Sequence, residues 1–186
     1  MKYKLLDAVV LGGLLALSGI TAAAASNSSP APATDAEIAR LVRHQLVMYP
    51  RFTIWDDISF RVNNGEVELL GAVTQPYKKD DLNRIVRGTP GVTSVTSEIK
   101  VLPLSDMDNR LRLRVARAIY NDPAFTRYAM MALPPVHIIV DNGHVRLTGV
   151  VASDFEKTMA GMRANSAGLS FGVVNELQVE RPAKKS

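Results

Sequence analysis

"NNGEVELLGAV" (residues 63–73) returns later in the chain as "DNGHVRLTGVV" (residues 141–151), at a constant offset of 78 residues. The identical pairs are Asn64/Asn142, Gly65/Gly143, Val67/Val145, Leu69/Leu147, Gly71/Gly149 and Val73/Val151. From the glycine onward the matches fall on alternate residues, the period of one face of a β-strand. The Asn-Gly pair supplies the positive-φ positions that a tight hairpin turn needs. Ahead of it Ile58, Phe60 and Val62 alternate with polar residues, as Val136, Ile138 and Val140 alternate in the second copy. Each stretch therefore reads as a turn and the second strand of a hairpin.

The repetition extends in both directions. "VTSEIKV" (95–101) aligns with "VVNELQV" (173–179) at the same offset, again with alternating apolar positions. Between hairpin and last strand, "YKKDDLNRIVRGTPG" and "FEKTMAGMRANSAG" each supply about three helical turns ending in glycine-containing segments. Upstream, Thr34-x-x-Glu37 and Ser105-x-x-Asp108 have the spacing of capping boxes. Behind them Ile38, Leu41, Val42 and Leu46 mark one helical face, as do Leu111, Val115, Ala118 and Ile119. Both helices run into a Pro-x-Phe, Pro50/Phe52 and Pro123/Phe125, now at an offset of 73, so the second copy carries five extra residues before its first strand. Each copy thus reads helix–strand–strand–helix–strand. The expected fold class is α+β: two αββαβ domains, each a three-stranded mixed sheet covered on one face by two helices. The spacer "LPLSD" (102–106) is short enough that the domains are expected to touch. The strand order within each sheet stays open at this level.

This pattern resembles the BON-domain family of bacterial envelope proteins. The resemblance rests on N-G-x-V-x-L-x-G-x-V in both copies, on the helix that follows, and on the glycine-led final strands "GVTSVTSEIKV" and "GLSFGVVNELQV". It covers residues 35 to about 180, and with the N-terminus it is similar to the osmotically inducible and outer-membrane-associated periplasmic members. Outer-membrane members of the family are often lipoproteins, whereas this chain has no cysteine to lipidate. The resemblance implies attachment to phospholipid surfaces, a role in envelope integrity under stress, and no catalysis.

Lys2 and Lys4 precede an apolar stretch from Ala8 to about Ile20 and then "TAAAAS", the order of a cleavable signal peptide over residues 1–25. The rival is an uncleaved membrane anchor, since residues 8–25 are nearly long enough to span. Residues 26–34, "SNSSPAPAT", read as a disordered leader. Residues 35–103 and 104–181 are the two domains, and 182–186 a basic tail. The expected location is the periplasm, with peripheral attachment to a membrane.

Chemistry is hard to find. The absence of cysteine excludes disulfides, thiolate metal sites and a cysteine nucleophile, and His44, His137 and His144 lack ligand spacing. Ser97-x-x-Lys100 matches a serine-enzyme pattern, but on a strand residues three apart face opposite ways, and no partner motif accompanies it. The carboxylate pairs Asp56-Asp57 and Asp80-Asp81 read as solvated turn and helix-start residues. No enzyme, cofactor or metal is expected. Export and the lack of stacking aromatics on the sheet argue against nucleic acid.

Charge is distributed unevenly. Residues 35–103 hold nine basic and nine acidic residues, whereas residues 104–186 hold eleven and eight. "DNRLRLRVARAIY" (108–120) alone carries +3. On a helix Arg110, Arg114 and Arg117 form a stripe off the core face, and Leu113 and Tyr120 are expected beside them. Apolar anchors between cations suit an anionic phospholipid headgroup layer, so these five are the expected lipid-binding residues. The alternative is that Leu113 and Tyr120 pack on the first domain. The inserted stretch "TRYAMMALPP" (126–135) offers Tyr128, Met130, Met131 and Leu133 as a partner loop for envelope proteins, or as packing over a domain. Trp55 reads as local packing. A chaperone-like or scaffolding envelope-stress factor is the alternative function.

Overall fold

The computed structural model describes residues 34–180. The expected signal peptide, most of the leader and the basic tail lie outside them. The first copy runs α1 (Asp35–Val47), β1 (Asp57–Asn63), β2 (Glu66–Val73), α2 (Pro76–Arg87) and β3 (Ser94–Val101). The second runs α3 (Asp106–Tyr120), a 3₁₀ turn at Pro123–Phe125, the one-turn α4 (Thr126–Ala129), β4 (Val136–Asp141), β5 (His144–Val151), α5 (Asp154–Ser166), β6 (Gly172–Asn175) and β7 (Gln178–Val179).

The open question of strand order has one answer for both sheets. The hairpin's second strand is central, antiparallel to the first strand and parallel to the last. The expected α+β class holds, with one difference. In the second copy the last strand is broken at Glu176–Leu177, and both pieces pair with β5, giving a four-stranded sheet. At the break the Leu177 side chain is fully buried in the core, and its N–H turns to Asn175 Oδ1 at 3.3 Å. The matching residue of the first copy, Ile99, is just as buried within an unbroken β3, so the break is particular to the second copy.

Both turns carry their Asn and Gly at positive φ, 50° and 80° in the first copy and 50° and 78° in the second. The later glycine of the repeat has a different reason. At Gly71 (φ 121°) a Cβ would lie 2.0 Å from Asp57 O, and at Gly149 (φ 110°) 1.9 Å from Pro135 O. No side chain fits where the first strand crosses so closely.

Val67, Leu69 and Val73 of β2 face α1 and α2, and Val145, Leu147 and Val151 of β5 face α3 and α5. The opposite sheet faces bring the copies together. Ile139 of β4 meets Ala72 and Leu102 there, Arg146 pairs with Asp57 at 2.8 Å, and Lys100 pairs with Asp141. Ile138 N–H donates to Ile54 O at 2.7 Å. Trp55 corrects its sequence reading: it packs on the second copy's core, because the Thr53–Asp56 loop is laid against β4.

Asp56 is the other correction. It is fully buried rather than solvated, and accepts from Thr53 N–H (2.9 Å), Thr74 N–H (3.0 Å), both threonine hydroxyls and Lys78 Nζ (2.5 Å). Two backbone amides, two hydroxyls and one ammonium converge on one carboxylate, so its burial is compensated. Asp57 and Asp81 are also engaged, the first with Arg146, the second with Tyr49 Oη at 2.9 Å and with Arg51 and Arg84. Only Asp80 is exposed as expected.

Removing one partner of a buried pair strands the other charge. Asp56→Ala is therefore expected to cost about 3–5 kcal/mol in urea denaturation. Adding Lys78→Met should recover part of that loss; an additive double variant would contradict the pairing.

Candidate functional site: the exposed face of α3

α3 starts where Ser105 Oγ accepts from Asp108 N–H at 3.2 Å. The matching bond from Glu37 N–H to Thr34 Oγ1 starts α1. The capping-box reading is half right, because the Asp108 carboxylate does not fold back onto the cap. It accepts from Asn142 N–H (2.9 Å) and Gly143 N–H (2.8 Å) at the hairpin turn. Asp35 does the same for Asn64 (2.8 Å) and Gly65 (2.9 Å). One aspartate in the first helical turn thus pins each helix to its hairpin.

With the helix so fixed, Leu111, Val115 and Ile119 are buried against the sheet. Arg110, Arg114 and Arg117 lie exposed on the outer side, and Leu113 stands 48% exposed among them. None of these three arginines has an acidic partner among the described residues. Arg51, Arg61, Arg84, Arg127, Arg146 and Arg163 all do.

Two of the expected site residues are elsewhere. Tyr120 turns back to the sheet, packs on the core and donates its Oη–H to Val136 O at 2.6 Å. Burial pushes its phenol well above the ordinary tyrosine range. Seven residues on from Leu113 it shares that side of the helix in projection, but at the last turn its long side chain reaches the strand edge. Tyr128 is not a loop residue open to partners either. It is buried, donates to Glu156 Oε2 at 2.9 Å and accepts from Ala152 N–H at 3.1 Å. Met130, Met131 and Leu133 remain exposed, Met130 at 84%.

The structure adds residues that periodicity missed. Met107 on the first turn of α3 and Phe171 both lie against Gly143: a Cβ there would sit 3.4 Å from Met107 Cε and 2.7 Å from Phe171 Cδ2. Phe171 is 72% exposed, and the chain reaches it through positive φ at Gly168 and Leu169. The only sequence signal is an aromatic residue immediately before a glycine, too weak to place it beside α3. Large exposed apolar residues are concentrated in the second copy, among them Leu104, Phe155, Met162 and Leu169; the first copy has Val47, Met48, Tyr77 and Val101.

Arg112, inside the same basic run, is buried, and its guanidinium donates to Val140 O at 2.7 Å and Asn109 Oδ1 at 2.6 Å. Desolvation lowers its pKa from the usual arginine value. It belongs to the fold, not to the surface.

Among the described residues no group of His, Asp and Glu could hold a metal ion, and no helix is long and apolar enough to cross a membrane.

Two αββαβ units in tandem, each with the hairpin's second strand at the centre of its sheet, define the class. The BON domain family matches residues 34–103 and again 108–181, and the chain belongs to it. BON domains occur in envelope-associated proteins and are in general non-enzymatic. No curated protein matches the chain. Among solved structures it is similar to the C-terminal domain of CdsD, the structural protein of the type III secretion system of Chlamydia trachomatis. That structure is 15% identical with a TM-score of 0.29, over 80% of this chain and 100% of the other. A second CdsD structure is 14% identical with a TM-score of 0.27, over 79% of this chain and 94% of the other. Neither likeness bears on function.

Tyr120→Phe is expected to destabilise the fold by about 1 kcal/mol through the loss of one hydrogen bond. It should leave any surface binding by α3 unchanged. Weaker vesicle binding with unchanged stability would return Tyr120 to the exposed face.

Proposed function

We propose that this chain is a non-catalytic envelope protein that binds anionic phospholipid surfaces reversibly through the exposed face of α3. Arg110, Arg114 and Arg117 meet phosphates and Leu113 enters the interface, with Met107 and Phe171 exposed together near the start of the same helix. The observation that carries the reading is the set of three arginines without acidic partners around an exposed leucine. Arg40, Arg43 and Arg87 are also exposed without acidic partners among the described residues, but α3 sets three such arginines on one helix beside an exposed leucine. The family's occurrence in envelope proteins and the N-terminal signal pattern support a periplasmic location, peripheral to a membrane.

Magnitudes set the character of the binding. Each basic residue near an anionic surface contributes about 1 kcal/mol, so three contribute about 3 kcal/mol. Burying Leu113 and part of Phe171 adds about 2–4 kcal/mol. Binding of this strength is reversible and falls with ionic strength.

A second reading rests on Met130 and Met131, which stay exposed on an apolar turn. Exposed methionines suit irregular protein surfaces, as a chaperone-like or scaffolding role would need. Salt separates the two, because apolar client binding persists where arginine–phosphate attraction is screened.

The test is co-sedimentation of the chain from Ser26 with vesicles of increasing phosphatidylglycerol content, at low and high salt. Binding should rise with anionic lipid, weaken sharply with salt, and fall about tenfold or more in Arg114→Glu and in Leu113→Asp. Absence of binding at every composition, or salt-independent binding unchanged in both variants, would contradict the lipid reading.

A further inference from the structure

In each sheet the hairpin's first strand is an edge, and its outward backbone groups belong to alternate residues: Val136, Ile138 and Val140 in β4, and Ile58, Phe60 and Val62 in β1. The second copy closes this edge. Val136 O accepts from Tyr120, Ile138 N–H donates to Ile54 O, and Val140 O accepts from Arg112. The first copy has the same helix over the same strand, but the positions matching Arg112 and Tyr120, at the helix offset of 73, are Ala39 and Val47. Neither can reach a carbonyl. Among the described residues nothing engages the outward groups of Ile58, Phe60 and Val62.

The short side chains leave a groove. Two adjoining concavities, of about 510 and 220 Å³, run between α1 and β1 and share Arg43, Ile58 and Phe60. Ala39 lies beside Val62 at one end, and Val47 beside Ile58 at the other, where Leu133 of the inserted stretch forms the end wall. Arg43 is exposed and has no acidic partner among the described residues.

We propose that this groove docks an extended segment of a partner protein, which adds to β1 as a fourth strand. Its main chain pairs with the outward groups of Ile58, Phe60 and Val62, and alternate apolar side chains enter the groove. An acidic side chain of the segment meets Arg43. The geometry asks for a strand because the open groups recur every second residue, the spacing of a ladder. It asks for an acidic one at Arg43, the cation shared by both concavities and unpaired among the described residues; Asp35, which lines the larger one, is already engaged by the Asn64 and Gly65 amides. A second copy of the chain fits less well. Pairing β1 with β1 about Phe60 would bring both α1 helices to one face and set Arg43 near its own equivalent. This surface is separate from the outer face of α3, so it stands whether or not the lipid reading does.

The test pans a phage-displayed library of nine-residue peptides against the chain from Ser26. An enriched peptide, carrying fluorescein, is then titrated by fluorescence anisotropy. Enriched sequences should share apolar residues at alternate positions and an Asp or Glu. Affinity should drop at least tenfold in Ala39→Arg/Val47→Tyr, which copies the closed edge, and in Arg43→Glu, and stay unchanged in Arg114→Glu. Circular dichroism establishes that each variant is folded. Amide exchange at Phe60 should slow when peptide is bound. The proposal is overturned if no enriched peptide binds or if the closed-edge variant binds equally well. Undiminished affinity in Arg43→Glu overturns the acidic chemistry. A dimer by sedimentation that the closed-edge variant abolishes, without peptide binding, assigns the edge to a second copy instead.

Discussion

An aspartate in the first helical turn, bonded to two successive amides of the hairpin turn, sets the position of each first helix over its sheet. Asp35 and Asp108 accept from Asn64/Gly65 and Asn142/Gly143 with nearly the same distances. Bonds to a charged acceptor contribute about 1.5–3 kcal/mol each, enough to decide between neighbouring helix registers. Once that register is fixed, every later helix position faces a determined strand position. Residue 39 must look at Val62 as residue 112 looks at Val140, and residue 47 at Ile58 as residue 120 looks at Val136. The frame is common, and the side chains at these positions decide what each copy does with it.

The two copies have used that freedom differently. At the strand-to-helix corner the same backbone amide, Thr74 N–H or Ala152 N–H, is satisfied by a carboxylate in both. In the first copy the carboxylate is Asp56 on the loop, with Lys78 on the helix opposite. In the second the helix position that matches Lys78 is Glu156, and Tyr128 and Arg127 of the inserted stretch supply the donors. The five extra residues are thereby explained: they bring a new donor set to a corner whose charges have changed places. The edge strands diverge in the same way, one closed by Arg112, Tyr120 and the Ile54 carbonyl, the other left with Ala39 and Val47 beneath it.

Much of this was legible in the sequence, and the reasons for the rest are physical. The repeat, the hairpins, the helices and the glycines follow from periodicity and turn chemistry, which act locally. Arg110, Leu113 and Arg114 could be placed outward because helical spacing alone determines their side. Tyr120 and Arg112 could not be placed, since a long side chain near a helix end can reach a strand edge that periodicity does not see. Asp56 read as solvated because its partners, Thr74 and Lys78, are brought to it only by tertiary structure. Phe171 joined Met107 for the same reason. Trp55 reads as local packing because the surface it covers belongs to the other copy, which the sequence near it does not reveal.

The central claim is that a shared frame carries one closed and one open edge, and the most direct measurement compares two matched amides. Phe60 N–H and Ile138 N–H occupy the same place in β1 and β4, yet among the described residues only the second has a partner, Ile54 O at 2.7 Å. Hydrogen exchange followed residue by residue on the free protein should find Phe60 exchanging at least about tenfold faster than Ile138, as expected of an amide held only by local structure. Equal protection of the two amides would mean that the first edge is also closed, and would contradict the account.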